Sequence, residues 1–217
     1  MEENELIQAV SIRALAHLAE TRDPETGNHI LRTQSYVKRL AVALRGHPNF
    51  PVLASDHYVD VLTMSAPLHD IGKVAIPDTI LLKRGALTPD EWVVMQTHAK
   101  AGSDAIESAE RDIETSVDFL AVAKEIAHWH HEKWDGSGYP DGLAGQNIPV
   151  AARLMALADV FDALISKRVY KQAISVEDAR GIISEGSARH FDPDVVQAFL
   201  TVFDDFVAIA RQYHDAH

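Results

Sequence analysis

Cysteine is absent from the 217-residue chain. That excludes disulfides, thiolate nucleophiles, thiolate zinc sites and Cys-ligated clusters, and it is compatible with the reducing cytoplasm where the chain is expected to work. No stretch reaches the roughly 18 uninterrupted apolar residues that mark a membrane span. Met1 to Leu6 is acidic and lacks the apolar core of a secretory signal. Positive charge is scarce as well. Twenty Lys and Arg stand against 32 Asp and Glu, a net charge of −12, which repels polyanions and argues against a DNA or RNA polymer as partner. A small phosphorylated ligand remains compatible, because local cations or a bound metal overrule the net field.

What remains is an ordinary globular composition, 47% hydrophobic and 24% charged, in a chain long enough for one domain of the usual size of about 150 residues or two small ones. A chain of this length buries roughly 70% of its unfolded surface and needs no metal merely to fold. The abundant residue is histidine, present 12 times. Histidine is the commonest metal ligand and the proton handler of neutral pH. His17, His47, His57, His214 and His217 read as surface residues, and His128 and His190 as structural ones.

Hydrophobic periodicity predicts an all-α protein, a compact helical bundle interrupted by one glycine-rich loop. Helices are expected over Glu5–Ala19, Thr26–Leu44, Asp56–Leu68, Asp118–His128 and Val150–Ile165. Thr88-Pro89-Asp90-Glu91 is a capping box with proline at the first helical position, opening a helix to about Glu107. Ser175 and Asp192-Pro193 cap two final helices. Trp134–Pro149, with its glycines, prolines and aspartates, is irregular.

Several histidines and carboxylates fall on the apolar faces of these helices. His69-Asp70 ends an apolar helix, Glu25 and His29 share a helix face four residues apart, and His98 lies mid-helix beside Met95 and Ala99. His130-His131 precedes the glycine-rich loop, and Asp159 interrupts the apolar run Leu154–Phe161. A buried carboxylate is costly unless it is paired or metal-bound. A metal cluster is the common partner that accounts for the set.

His69-Asp70-Ile71-Gly72-Lys73 and His130-His131-Glu132-Lys133-Trp134-Asp135-Gly136-Ser137-Gly138-Tyr139-Pro140-Asp141-Gly142-Leu143 resemble the two signature motifs of the HD-GYP family. These are bacterial phosphodiesterases that cleave cyclic di-GMP, and the likeness runs from about Leu15 to Phe206. The resemblance implies residues 1–22 as a signalling or linker helix, through which a homodimer can form, and residues 23–217 as the catalytic domain. It implies a two-metal core of His69, Asp70, His98, His130, His131 and Asp159, with Asp70 bridging, and a third metal held by Glu25 and His29. Iron or manganese suits such a ligand set. Lys73 would stand beside the scissile phosphate, and Arg168, Lys171 and Tyr139 would bind the dinucleotide. For Arg168 and Lys171 an ordinary cationic helix end fits as well, as a first-turn acid does for Glu25. The glycine-rich loop either simply permits tight turns or also contacts diguanylate cyclases.

The implied chemistry is hydrolysis of cyclic di-GMP to linear pGpG, and from there to GMP, by water made acidic between two metals about 3.5–4 Å apart. Two alternatives differ: a catalytically silent module that binds a partner through the loop, and a phosphodiesterase preferring pGpG or another cyclic dinucleotide.

Overall fold

The structure, a computed structural model, describes residues 3–21, 28–112, 117–166 and 173–214. In chain order the helices are α1 (Glu3–Glu20), α2 (His29–Ala43), α3 (Asp56–Ser65), α4 (Asp78–Leu81), α5 (Pro89–Arg111), α6 (Asp118–Trp129), α7 (Val150–Ile165), α8 (Val176–Glu185), α9 (Pro193–Thr201) and α10 (Phe203–Gln212). Among the described residues there is no strand, only isolated bridges at Asp135–Ala144 and Ser187–Phe191. The fold is all-α.

A helix apolar nearly all round belongs inside, and α7 is one. Ala151, Ala152, Leu154, Met155, Leu157, Ala158 and Phe161 are all buried, with α2, α6, α8 and α9 packed around them. Tyr36, Phe161, Phe199 and Phe206 interlock with ring centroids 4.4–5.4 Å apart, mostly edge to face, the arrangement that aromatic quadrupoles favour. A smaller cluster of Ala16, Ile30, Leu68, Ile106, Ala123 and Ala127, joined by Ile12 and Ile71, attaches α1. The outer side of α1 leaves Leu6, Ile7, Val10, Leu15 and Leu18 exposed. No helix among the described residues is long and apolar enough to cross a membrane.

The capping signals act as the sequence implies. Thr88 accepts the Glu91 N–H while Glu91 accepts the Thr88 N–H, and Ser175 and Asp192 accept the N–H groups of Asp178 and Asp194. Several elements differ from expectation, among them α4, which the periodicity does not indicate. The expected Asp56–Leu68 helix stops at Ser65 and tightens into a 3-10 turn at Ala66–Leu68, because Pro67 has no N–H to continue the ladder. The C-terminal part holds three helices rather than two, since Val202 leaves helical geometry at φ −110°, ψ 22° between α9 and α10. Of the histidines read as superficial, His17, His57 and His214 are exposed, His47 is half-buried, and His217 lies outside the described residues.

The site depends on one close approach. The 3-10 turn Ile71–Ala75 crosses α5 at Gly72, where a Cβ would stand 2.0 Å from the His98 carbonyl oxygen and 2.4 Å from the Gly102 nitrogen. Only glycine permits that contact, and it brings Asp70 next to His98.

Candidate metal centre

Five elements converge on one point: the start of α2 with His29, the junction of two 3-10 turns with His69 and Asp70, mid-α5 with His98, the end of α6 with His130 and His131, and α7 with Asp159. Asp70, His98, His130 and His131 form one group, and His29, His69 and Asp159 a second; within each group the available ligand atoms lie within 4.8 Å of one another. Asp70 spans both groups. Its Oδ1 is 3.3 Å from His98 Nε2 and 3.6 Å from His130 Nε2, while its Oδ2 is 3.3 Å from His69 Nε2 and 2.8 Å from Lys73 Nζ.

The backbone sets the tautomers. His69 Nδ1 donates to the Ala66 carbonyl at 3.0 Å, His98 Nδ1 to Met95 at 2.7 Å and His130 Nδ1 to Ile126 at 2.9 Å. His29 Nδ1 donates to the Asp162 carboxylate at 2.8 Å. Each Nε2 is thereby left as a lone pair aimed inward, the usual state of a metal-ligating imidazole. His29 Nε2 and His69 Nε2 face each other at 3.3 Å. Asp70 Oδ1 and His130 Nε2, both buried, have no hydrogen-bond partner. Buried acceptors left without a partner fit a cation. Two groups of ligands sharing one carboxylate fit two divalent ions.

The electrostatics favour an anionic Asp70 and neutral His130 and His131. Burial alone would raise the Asp70 carboxyl, but the Lys73 ammonium and the His69 and His130 rings hold it well below the usual carboxylate range. Burial, reinforced by neighbouring His130 and His98, keeps His131 neutral, its pKa well below the ordinary histidine value; burial also lowers His130. His69 moves the other way, because the attraction of Asp70 outweighs its burial.

Sequence reasoning missed the support of this centre. Asp162 is almost fully buried, whereas Asp159 keeps 17% of its side chain exposed toward the cleft. The carboxylate of α7 withdrawn from water is therefore Asp162. Arg32 grips it from α2 through Nε at 2.6 Å and Nη2 at 3.0 Å, and also reaches the Tyr213 carbonyl and Ser166 Oγ. The available signal was the spacing: Asp162 follows Asp159 by three residues, and Arg32 follows His29 by three, each pair on one helix face. His29 lies in the same group as His69 and Asp159. Its proposed companion Glu25, together with Arg168 and Lys171, lies outside the described residues.

The glycine-rich loop closes over the same centre. Tyr139 stacks on His131 with centroids 4.7 Å apart, and burial followed by the charge of Asp70 raises its phenol. Gly138 lies against the backbone of Glu132 and Lys133, where a Cβ would fall 2.3 Å from the Lys133 nitrogen. Asp141 ties the loop to α6, accepting from His128 Nε2 and Trp129 Nε1, while Glu132 accepts the Asp141 N–H at 2.8 Å. His128 is structural, as expected. His190 lies flat on Phe191, centroids 4.2 Å apart. Above the centre opens a cleft of about 370 Å³ lined by Asp70, Lys73, Lys83, Trp92, Tyr139 and Asp159 among others.

Residues 14–195 match the HD domain family. A relative in Vibrio cholerae named cyclic di-GMP phosphodiesterase is 58% identical over 207 residues, 95% of this chain and 42% of the relative. Another from that organism, named 3'3'-cGAMP-specific phosphodiesterase 2, is 43% identical over 201 residues, 93% of this chain and 36% of the relative. A solved cyclic GMP-AMP specific phosphodiesterase of Vibrio cholerae shares the fold with a TM-score of 0.61 at 21% identity, covering 94% of this chain and 52% of that one. The chain thus spans less than half the length of the two curated relatives. With the His69-Asp70 pair and the His130–Pro140 motif in place, the family match over most of its length shows that the chain belongs to the HD domain family, in the HD-GYP branch.

Proposed function

We propose that this domain is a metal-dependent phosphodiesterase that opens cyclic di-GMP to linear pGpG, with GMP the product of a second cleavage. The observation that carries the reading is that Asp70 Oδ1 and His130 Nε2, both buried, have no hydrogen-bond partner where the Nε2 atoms of His29, His69 and His98 also converge. His29, His69 and Asp159 would hold one ion and His98, His130 and His131 the other, with Asp70 shared between them. The all-nitrogen and oxygen donor set suits iron or manganese. When bound, the ions supply Lewis acidity toward the phosphate and an acidified water.

The protein's own groups do the rest. Lys73, at the cleft floor beside Asp70, places an ammonium where negative charge grows on the phosphoryl oxygens. Tyr139, fixed on His131, walls the cleft and narrows the path of water to the cluster. Asp162 and Arg32 hold the His29 ring in its ligating orientation. Arg168 and Lys171 are proposed to hold the dinucleotide phosphates, and Glu25 to add a third ion beside His29. Residues 1–22 serve as a linker helix in this reading, and the exposed apolar side of α1 supports a homodimer formed through it.

The relative named 3'3'-cGAMP-specific supports a second reading in which a mixed cyclic dinucleotide is the preferred substrate. Anaerobic purification, metal quantification and product chromatography from cyclic di-GMP, cyclic GMP-AMP and pGpG decide between them. The expected result is metal at two or more per chain and fastest turnover of cyclic di-GMP. Fully metallated protein that cleaves none of the three would be an interaction module instead.

A further inference from the structure

A cyclic dinucleotide carries its bases a sugar away from its phosphates. With the phosphate at the cluster, a base must rest further out along the cleft. Along that direction α5 presents Trp92, Met95 and His98 at successive i, i+3 positions, one helix face running from the cleft mouth to the cluster. Trp92 is 48% exposed although it is large and apolar. Its ring is perpendicular to Tyr139 at 6.3 Å, not stacked on it, while Tyr139 itself is engaged with His131. Ile80, Leu81 and Leu87 line the same cleft. An aromatic face left open in a concave apolar wall is what a planar base stacks on.

Lys83 lines the cleft beside this wall. Its Nζ donates to Glu91 Oε2 at 2.5 Å, and the same carboxylate accepts the Thr88 N–H at 2.7 Å. The ammonium is thereby held against the first turn of α5, the turn that carries Trp92. An ammonium has three N–H donors, and Glu91 takes one. Guanine offers O6 and N7 as adjacent acceptors, where adenine puts an amino donor in place of O6.

Resting on the phosphodiesterase reading, we propose that Trp92 stacks one purine of the substrate and that Lys83 makes that position prefer guanine. Neither residue touches the cluster, so both act through binding, and their loss should raise KM with kcat little changed.

The test compares the metallated parent with Trp92→Ala, Trp92→Phe and Lys83→Met. Trp92→Ala should raise the KM for cyclic di-GMP about 10-fold, within the range that base stacking supports, with metal content and melting temperature unchanged, and Trp92→Phe should restore part of the loss. Lys83→Met should lower the preference for cyclic di-GMP over cyclic di-AMP about 10-fold, the scale of a specific lysine–guanine contact. An unchanged KM in Trp92→Ala overturns the proposal. A titration with GMP, followed by tryptophan fluorescence in the parent and in Trp92→Phe, needs no turnover. If the parent proves inactive yet GMP quenches it and not the variant, the base surface stands and the phosphodiesterase reading falls. An inactive parent with identical titrations in both overturns the proposal too.

Discussion

Arg32 and Asp162 meet across α2 and α7 in a buried two-point ion pair, at 2.6 and 3.0 Å, and the same carboxylate orients His29. One interaction thus joins the core to the centre. Burial would raise the Asp162 carboxyl, yet the bonds and charge of His29 and Arg32 hold it below its ordinary value. Asp162→Ala is expected to lower stability by about 3–5 kcal/mol, since it leaves a buried guanidinium without its partner. It should also weaken metal binding about 10- to 100-fold, the usual cost of removing the carboxylate behind a ligating histidine. Urea unfolding and metal titration check the two effects separately. Asp205→Ala, which breaks the exposed Arg39 pair, should cost less than about 1 kcal/mol. Comparable losses from the two substitutions would mean that Asp162 has no special place.

The contrast between these pairs explains what the sequence discloses. Thr88, Ser175 and Asp192 were legible because a cap acts on residues two or three positions away. The histidines were legible because imidazoles on apolar faces are out of place, and the His69-Asp70 and His130–Pro140 motifs are contiguous. Arg32 and Asp162 were not, because each looks like a solvated charge until α2 is laid against α7. Trp92 was read as part of a capped helix; its significance comes from facing Tyr139, 47 positions later. Val202 lies in an apolar run with no proline or glycine, so nothing local marks the break between α9 and α10.

Gly72 tests whether the crossing of the 3-10 turn over α5 sets the geometry of the centre. A methyl group at this position collides with backbone at 2.0 Å, and backbone cannot rotate aside. Gly72→Ala is expected to destabilise by about 3 kcal/mol, the upper part of the overpacking range. Because the forced shift moves Asp70 away from His98, metal affinity should fall as well. Gly85→Ala is the control: nothing lies within 4 Å of its Cβ position, although its φ of +136° adds a backbone cost. Retained metal affinity in a folded Gly72→Ala protein would show that Asp70 is positioned by something else.

Asp70→Asn should abolish hydrolysis and leave the helical fold intact. The amide is nearly isosteric, but it is uncharged and cannot serve both ligand groups with an anionic oxygen. Circular dichroism should match the parent, bound metal should fall, and turnover should vanish. Lys73, whose ammonium now pairs with Asp70, loses that anchor, so phosphate binding should weaken too. Activity above a few per cent of the parent would mean that the two groups of ligands are joined in some other way.

His190 contributes a pH dependence of its own. Burial, aided by the charge of Lys133, lowers its pKa from 6.5 to about 4, against the opposing pull of Asp135 and Asp159. The unfolded chain therefore takes up a proton at this ring as the pH falls through about 6.5, while the folded chain resists until about 4. In that window the unfolded state binds more protons, so the stability held by the neutral ring declines as the pH drops. His190→Gln removes this contribution and leaves the other titrating groups in place. The difference in unfolding free energy between parent and variant, measured on metal-free protein by urea titration, should be constant above pH 7. It should then shift against the parent as the pH falls from 6.5 toward 4. The ring also lies on Phe191, and its carbonyl accepts the Trp134 N–H, so a constant offset reports lost packing and only the slope reports the proton. Parallel stability curves across the whole range would show that His190 titrates in the fold as it does in water.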